Sequence, residues 1–295
     1  MKYNLKPLGE QVIVITGASS GIGLTTARLA AKRGAKVILA ARSEDALQQI
    51  VSDIGPNATQ VTVDVGNEED LARVADHAVS RFGRIDTWVN NAGVSIYGRL
   101  DEVSEADSRR LFDTNFWGVA NGSLAALPHL KRSGGALINV GSEVSEAVVP
   151  FLGMYAASKH AVKGFTDALR VEIEELDESR VSITLIQPSA VDTPFPHHAK
   201  NYMDREPKLP PPVIAPEQVA EAILKAATEG GRDVKVGAMA VVNTTISKLM
   251  PGIGDKMSVK RGMSQRGDTL PLHPEGTLFQ PGEAGTAHGQ AQAPS

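Results

Sequence analysis

The sequence predicts an α/β fold: a doubly wound, parallel, seven-stranded sheet with helices on both faces. Three observations carry this. Short β-branched runs alternate with longer segments of helical apolar period, the pattern of successive βαβ units. A glycine-rich turn, Thr16-Gly17-Ala18-Ser19-Ser20-Gly21-Ile22-Gly23, separates the first run from the first helical segment. The 295 residues, about half apolar once glycine is counted, suffice for one large unit or two ordinary domains.

In chain order, strands are expected near 12–16, 36–41, 60–63, 85–90, 135–140, 181–187 and 234–236. Helices are expected near 22–33, 44–54, 68–82, 105–130, 154–176 and 216–228. Ser104 with Asp107 reads as a capping box, and Gly34 as the C-cap of the first helix. Two stretches break the alternation. Residues 194–216 are proline-rich and read as a functional lid or a disordered segment. From about residue 260 the chain is rich in Gly and Pro without a period, so the last 35 or so residues are expected to be flexible, with local docking at Leu278 and Phe279. The division is a lead over 1–10, a catalytic domain over 11–240 and an extension over 241–295.

Composition narrows the function classes. Thirty basic against 34 acidic residues give a net charge of −4, without the basic surplus of a nucleic-acid binder. With no cysteine, a thiol nucleophile, a disulfide scaffold and a cysteine zinc site are impossible. The apolar run at 12–16 is too short for a signal peptide, and no window approaches the roughly 20 apolar residues of a membrane span. A cytoplasmic location is the expectation.

Glycines in such a turn allow a tight reversal, close approach of backbone N–H groups to a pyrophosphate, and close helix–strand packing. Dinucleotide binding is therefore expected, against the alternative of a plain structural turn. At the end of the second strand, where an acidic residue would bind the ribose hydroxyls of NAD, stands Arg42. Its planar, permanently charged fork suits a 2′-phosphate, so NADP(H) is preferred with NAD(H) possible, unless Arg42 is a solvated surface residue. Tyr155 and Lys159 sit four apart on one helix face, where a cation stabilises a phenolate and moves its pKa toward the working range. In isolation a chance spacing is the better reading of that pair.

Taken together, these motifs resemble the short-chain dehydrogenase/reductase family, over about residues 10–240 and in its branch with a core of some 250 residues. The glycine pattern stands at 16–23, Asp64-Val65 after the third strand, Asn90-Asn91-Ala92-Gly93 after the fourth, and Asn115 within the fourth helix. Ser142 precedes Tyr155 by thirteen residues, and Pro188-Ser189-Ala190-Val191-Asp192-Thr193 follows the sixth strand, with Ser189 in place of the family's glycine. The resemblance implies a Rossmann-like fold and a catalytic set of Asn115, Ser142, Tyr155 and Lys159. It implies coenzyme contacts from Gly17, Ser19, Ser20, Gly21, Ile22, Gly23, Arg42, Asp64, Val65, Asn91, Ala92, Gly93, Tyr155, Lys159, Pro188, Val191 and Thr193.

The implied reaction is hydride transfer between nicotinamide and a carbonyl or alcohol carbon. Tyr155 would exchange the proton, Ser142 orient the substrate oxygen, Lys159 bind the nicotinamide ribose, and Asn115 hold a relay water. For Asn115 the alternative is a buried amide bonded to backbone. Substrate selection is expected from 143–154 and 195–213, where Val144, Val148, Val149, Phe151, Leu152 and Phe195 suggest an apolar pocket. Glu143 and Glu146 are expected to face solvent beside it. His197-His198 is read as loop rather than metal site, and Trp117 as core or subunit contact. A homodimer or homotetramer through the fourth and fifth helices is implied. The rival readings are a sugar-nucleotide epimerase or dehydratase, whose glycine spacing differs, and a non-catalytic coenzyme sensor, which would be expected to lack the tyrosine or lysine.

Overall fold

The computed structural model describes residues 3–282 and 284–289. The strands are β1 (Val12–Thr16), β2 (Lys36–Ala41), β3 (Ala58–Thr62), β4 (Thr87–Asn90), β5 (Ile96–Tyr97), β6 (Ala136–Val140), β7 (Ser182–Pro188), β8 (Lys200–Asn201) and β9 (Asp233–Val236). The helices are α1 (Gly21–Lys32), α2 (Glu44–Ile54), α3 (Glu68–Phe82), α4 (Glu105–Phe112), α5 (Gly118–Ser133), α6 (Gly153–Arg170), α7 (Phe195–His198), α8 (Pro216–Glu229), α9 (Ala238–Leu249) and α10 (Pro251–Ser264).

Seven strands form one sheet in the order β3-β2-β1-β4-β6-β7-β9, every pair parallel. Alternation along β1 sends Ile13 and Ile15 into a core under α1, α2 and α8, and Val12 and Val14 into a second core under α3, α5 and α6. A parallel sheet buried on both faces needs strands that are apolar throughout, which is why VIVIT shows no polar alternation. After β3 the chain crosses to the far side of β1 to make β4. The strand order reverses there and opens a crevice at the carboxyl ends of β1 and β4, the usual ligand position in such sheets.

Several sequence expectations are corrected. The fourth helix is interrupted by a π-type turn, Asp113–Trp117, and α6 likewise runs on into one at Val171–Leu176. The Ser104 hydroxyl does cap α4 by accepting from Asp107 N at 3.1 Å, but the return half of the box is absent. Tyr202 intervenes, donating to the Asp107 carboxylate at 2.6 Å and accepting from Ser104 N at 3.2 Å. The proline-rich loop is partly ordered by α7 and by β8, which pairs with β5. The extension carries two helices, and α10 takes in residues 260–264 that lack an obvious period. Among the described residues no helix is long and apolar enough to cross a membrane.

Candidate active site

The crevice holds a cavity of about 270 Å³, and most of the residues singled out above line it. Its floor is the glycine turn. Gly17 and Gly21 have φ of +65° and +52°, and a Cβ on Gly17 would stand 2.7 Å from Ala92 Cα. Ser19, Ser20 and Ile22 complete that floor. Gly23 does not line the cleft: a Cβ there would lie 2.2 Å from the Gly17 carbonyl oxygen, so its hydrogen lets α1 pack against the turn. The turn is tied to the end of β4, where Asn91 Nδ2 donates to the carbonyls of Thr16 at 3.0 Å and Gly17 at 3.2 Å. Thr16 Oγ1 in return accepts from the amides of Asn91 at 3.0 Å and Ala92 at 3.1 Å.

At one end of the cleft lie Arg42, Asp64, Val65 and Thr114. Burial pushes the Asp64 carboxyl up, but hydrogen bonds from Arg110 and from Gly66 N outweigh it and hold it below the usual carboxylate range. For Arg42 the balance runs the other way. Burial lowers its pKa, Asp64 opposes this, and the like charge of Arg110 adds to it. Sequence reasoning missed Arg110, because nothing local links it to Asp64, 46 residues earlier.

At the other end Ser142, Tyr155 and Lys159 lie together in one wall, and Gly93, Pro188, Val191 and Thr193 also line the cleft. β6 delivers Ser142 at its carboxyl end, and α6 places Tyr155 and Lys159 one turn apart. Lys159 Nζ donates to the Val140 carbonyl at 2.8 Å, and burial pushes its pKa down to about 8. The Tyr155 phenol is pushed up, chiefly by burial, against the hydrogen bond from Ser142 and with the Glu143 carboxylate adding to the rise. The sequence expectation of a phenol drawn toward neutrality by Lys159 is thus corrected: desolvation of both groups dominates.

Asn115 lies behind the wall, fully buried in the π-type turn. Its Oδ1 accepts from Val94 N at 2.8 Å, while Nδ2 donates to Val94 O at 2.9 Å and Ser158 Oγ at 3.0 Å. Both amide hydrogens are engaged, as in the alternative reading of a buried amide bonded to backbone.

Beyond Tyr155 the cleft widens into a chamber lined by Val144, Val149, Leu152 and Phe195, with the Phe195 ring 5.4 Å from that of Tyr155. Phe151 is not among its walls, its carbonyl accepting instead from Gly98 N at 2.8 Å just past β5, and Val148 is 52% exposed. Glu143 is buried rather than solvated, accepting from Asn243 at 2.7 Å and pairing with Arg261. The Glu146 side chain is buried as well, in an ion pair with Lys248 at 2.6 Å. The extension thus supplies a polar end to the chamber through Arg261 and Gln265, and the loop adds Leu209, Pro210 and His198. His198, Leu209 and Pro210 fall within the 195–213 loop expected to select substrate, whereas Arg261 and Gln265 carry no local sequence signal, because α10 and the residue after it lie outside the motif region. His197 faces outward to Glu206, and Trp117 is 51% exposed beside Phe116.

Residues 11–203 match the short chain dehydrogenase family. An uncharacterized oxidoreductase, YxnA, of Bacillus subtilis is 45% identical over 95% of this chain and 81% of its own length. The 11-beta-hydroxysteroid dehydrogenase A of Sesamum indicum is 36% identical over 76% of this chain and 67% of its own. Among solved structures, an alcohol dehydrogenase from the archaeon Thermococcus sibiricus complexed with 5-hydroxy-NADP superposes with a TM-score of 0.67 at 28% identity, covering 77% of this chain and 95% of that one. A 3-ketoacyl-(acyl-carrier-protein) reductase from Brucella melitensis complexed with NADH gives 0.68 at 28% identity, covering 78% and 97%.

Proposed function

This chain belongs to the short-chain dehydrogenase/reductase family of oxidoreductases, and on that premise we propose that it interconverts a carbonyl and a secondary alcohol on a small, largely apolar substrate, with NADP(H) as coenzyme. The observation that carries the reading is the placement of Tyr155, Ser142 and Lys159 on one wall between a glycine-floored cleft and an apolar chamber.

The cleft suits a dinucleotide. Beyond the glycine turn it holds two buried hydroxyls, Thr114 Oγ1 and Ser189 Oγ, that have no hydrogen-bond partner among the described residues. A ligand with polar groups at both ends answers them. The coenzyme, when bound, donates or accepts the hydride at its nicotinamide ring.

The chain's own residues do the rest. Backbone N–H groups of the turn at Ser19, Ser20 and Ile22 would hold the pyrophosphate, Asp64 and Val65 the adenine, and Asn91, Ala92 and Gly93 the adjoining ribose. Pro188, Val191 and Thr193 would border the nicotinamide. In reduction, Tyr155 Oη gives its proton to the substrate oxygen while Ser142 Oγ hydrogen-bonds that same oxygen and offsets its developing charge. The phenol is protonated at neutral pH and so has a proton to give, while the rise that burial imposes makes it a weaker acid. Lys159 supports the nicotinamide ribose, and Asn115 fixes the Val94 backbone behind them. Arg42 supplies the preference for NADP(H).

The test is loss of NADPH absorbance with aliphatic, aromatic and polycyclic ketones, repeated with NADH. Turnover of apolar ketones, faster with NADPH, is expected. No turnover across the panel in either direction would overturn it. Self-association through α5 and α6 belongs to the same reading, since Trp117 and Leu124 are about half exposed there. Sedimentation velocity should give a dimer or tetramer.

A further inference from the structure

The chain after α10 returns across the cleft. Thr277 N donates to the His198 carbonyl at 2.8 Å, and the Leu278 side chain is wholly buried against Val94, Ile96 and Leu111. Farther on, Gly285 N donates to Ser19 O at 2.7 Å and Gly21 N to Thr286 O at 3.0 Å. The His288 ring then bridges Asp192 and Glu217. Thr277, Pro281 and Gly282 line the same cavity as Arg42 and the glycine turn, so the segment roofs the cleft and leaves room beneath it.

Two guanidinium groups meet this roof. Arg42 donates to the carbonyls of Thr277 at 2.7 Å and Leu278 at 3.3 Å, and Arg110 Nε donates to the same Leu278 carbonyl at 3.1 Å. Among the described residues Asp64 forms its ion pair with Arg110, and Arg42 makes none. Neutral carbonyls orient a guanidinium without discharging it, and two of the five Arg42 N–H groups are engaged, leaving the others for an anion.

Resting on the NADP(H) reading above, we propose that Leu278 is a positioning residue for coenzyme specificity: its buried side chain pins the 277–278 carbonyls, which hold Arg42 and Arg110 for the 2′-phosphate. The roof is part of the coenzyme site. A flexible guanidinium would lose rotamer freedom on gripping the phosphate, and one already held by two carbonyls loses less.

Fluorescence titration of the full-length protein with NADPH and NADH tests this in wild type, Leu278→Asp, Leu278→Met and Arg42→Ala. Leu278→Asp should weaken NADPH by about tenfold or more and NADH by less than about threefold, and Leu278→Met should restore NADPH to near wild type. If Leu278→Asp fails to fold by circular dichroism, Leu278→Ala takes its place with the same expected selectivity. Unchanged or tighter NADPH binding in the aspartate variant, or equal weakening of both coenzymes, overturns the proposal. Arg42→Ala separates the two levels: if it loses no NADPH preference, the 2′-phosphate reading itself falls. If it does lose it while Leu278→Asp does not, only the role of Leu278 falls.

Discussion

The Lys159 ammonium lies 5.8 Å from the centroid of the Tyr155 ring, and its hydrogen bond goes to the Val140 carbonyl. The cation is therefore fixed by β6 rather than by the phenol. Both groups are desolvated in the cleft wall, so each resists its charged form, the phenol moving up and the ammonium down.

Tyr155→Phe removes the exchangeable proton and keeps the ring packed on Phe195. Coenzyme dissociation constants should stay within about threefold, while ketone turnover should fall by roughly 10³ or more. Turnover near that of wild type would take Tyr155 out of the proton transfer.

Lys159 titrates near 8 when folded and at its ordinary 10.5 when unfolded. Between those values the unfolded chain binds more protons, so stability rises with pH across that window, by on the order of 3 kcal/mol. The rise is complete above the unfolded pKa and absent below the folded one. Lys159→Met should lose this pH-dependent gain and be more stable than wild type near pH 7, with the gap closing by pH 10. Urea midpoints at the two pH values measure it, and an equal gap at both would contradict the burial argument.

Arg42→Asp reverses the charge facing the 2′ position and should invert the coenzyme ratio, by about 10² or more in kcat/KM. Steady-state kinetics with NADPH and NADH decide this. A retained NADPH preference would remove Arg42 from the phosphate site.

Gln265 is 1% exposed, and its Oε1 has no hydrogen-bond partner among the described residues while it faces the chamber. Gln265→Leu relieves a buried, unpaired acceptor and should raise stability by about 1–2 kcal/mol while lowering KM for wholly apolar ketones. If thermal midpoint and KM both stay put, a protein or solvent partner already satisfies that amide.

Much of this was readable from the linear chain because it depends on local spacing. The period of each segment and the glycine turn identify the βαβ order, and the four-residue step from Tyr155 to Lys159 fixes their common helix face. Ser142, Asp64, Asn91 and Thr193 reach the cleft because strand ends in a parallel sheet converge there. Phe151 and Val148 were misplaced because apolarity alone does not tell which side of a turning loop faces the chamber. Glu143 and Glu146 were misjudged for the complementary reason: carboxylates read as solvated until Arg261 and Lys248, more than 100 residues later, arrive to pair with them.

By itself the sequence determined the fold, the family and most of the residues that line the cleft, since each rests on short-range patterns that survive without knowing what packs on what. Tertiary structure alone decided that Gly23 serves packing, that Asn115 is bound to the Val94 backbone, and that Arg110 joins Asp64. It also decided that the residues after α10 roof the cleft, with Leu278 buried and Phe279 left 54% exposed. The physical reason is the same in each case: burial and long-range pairing set a polar group's partners and charge state, and no local pattern encodes which distant segment will exclude the water.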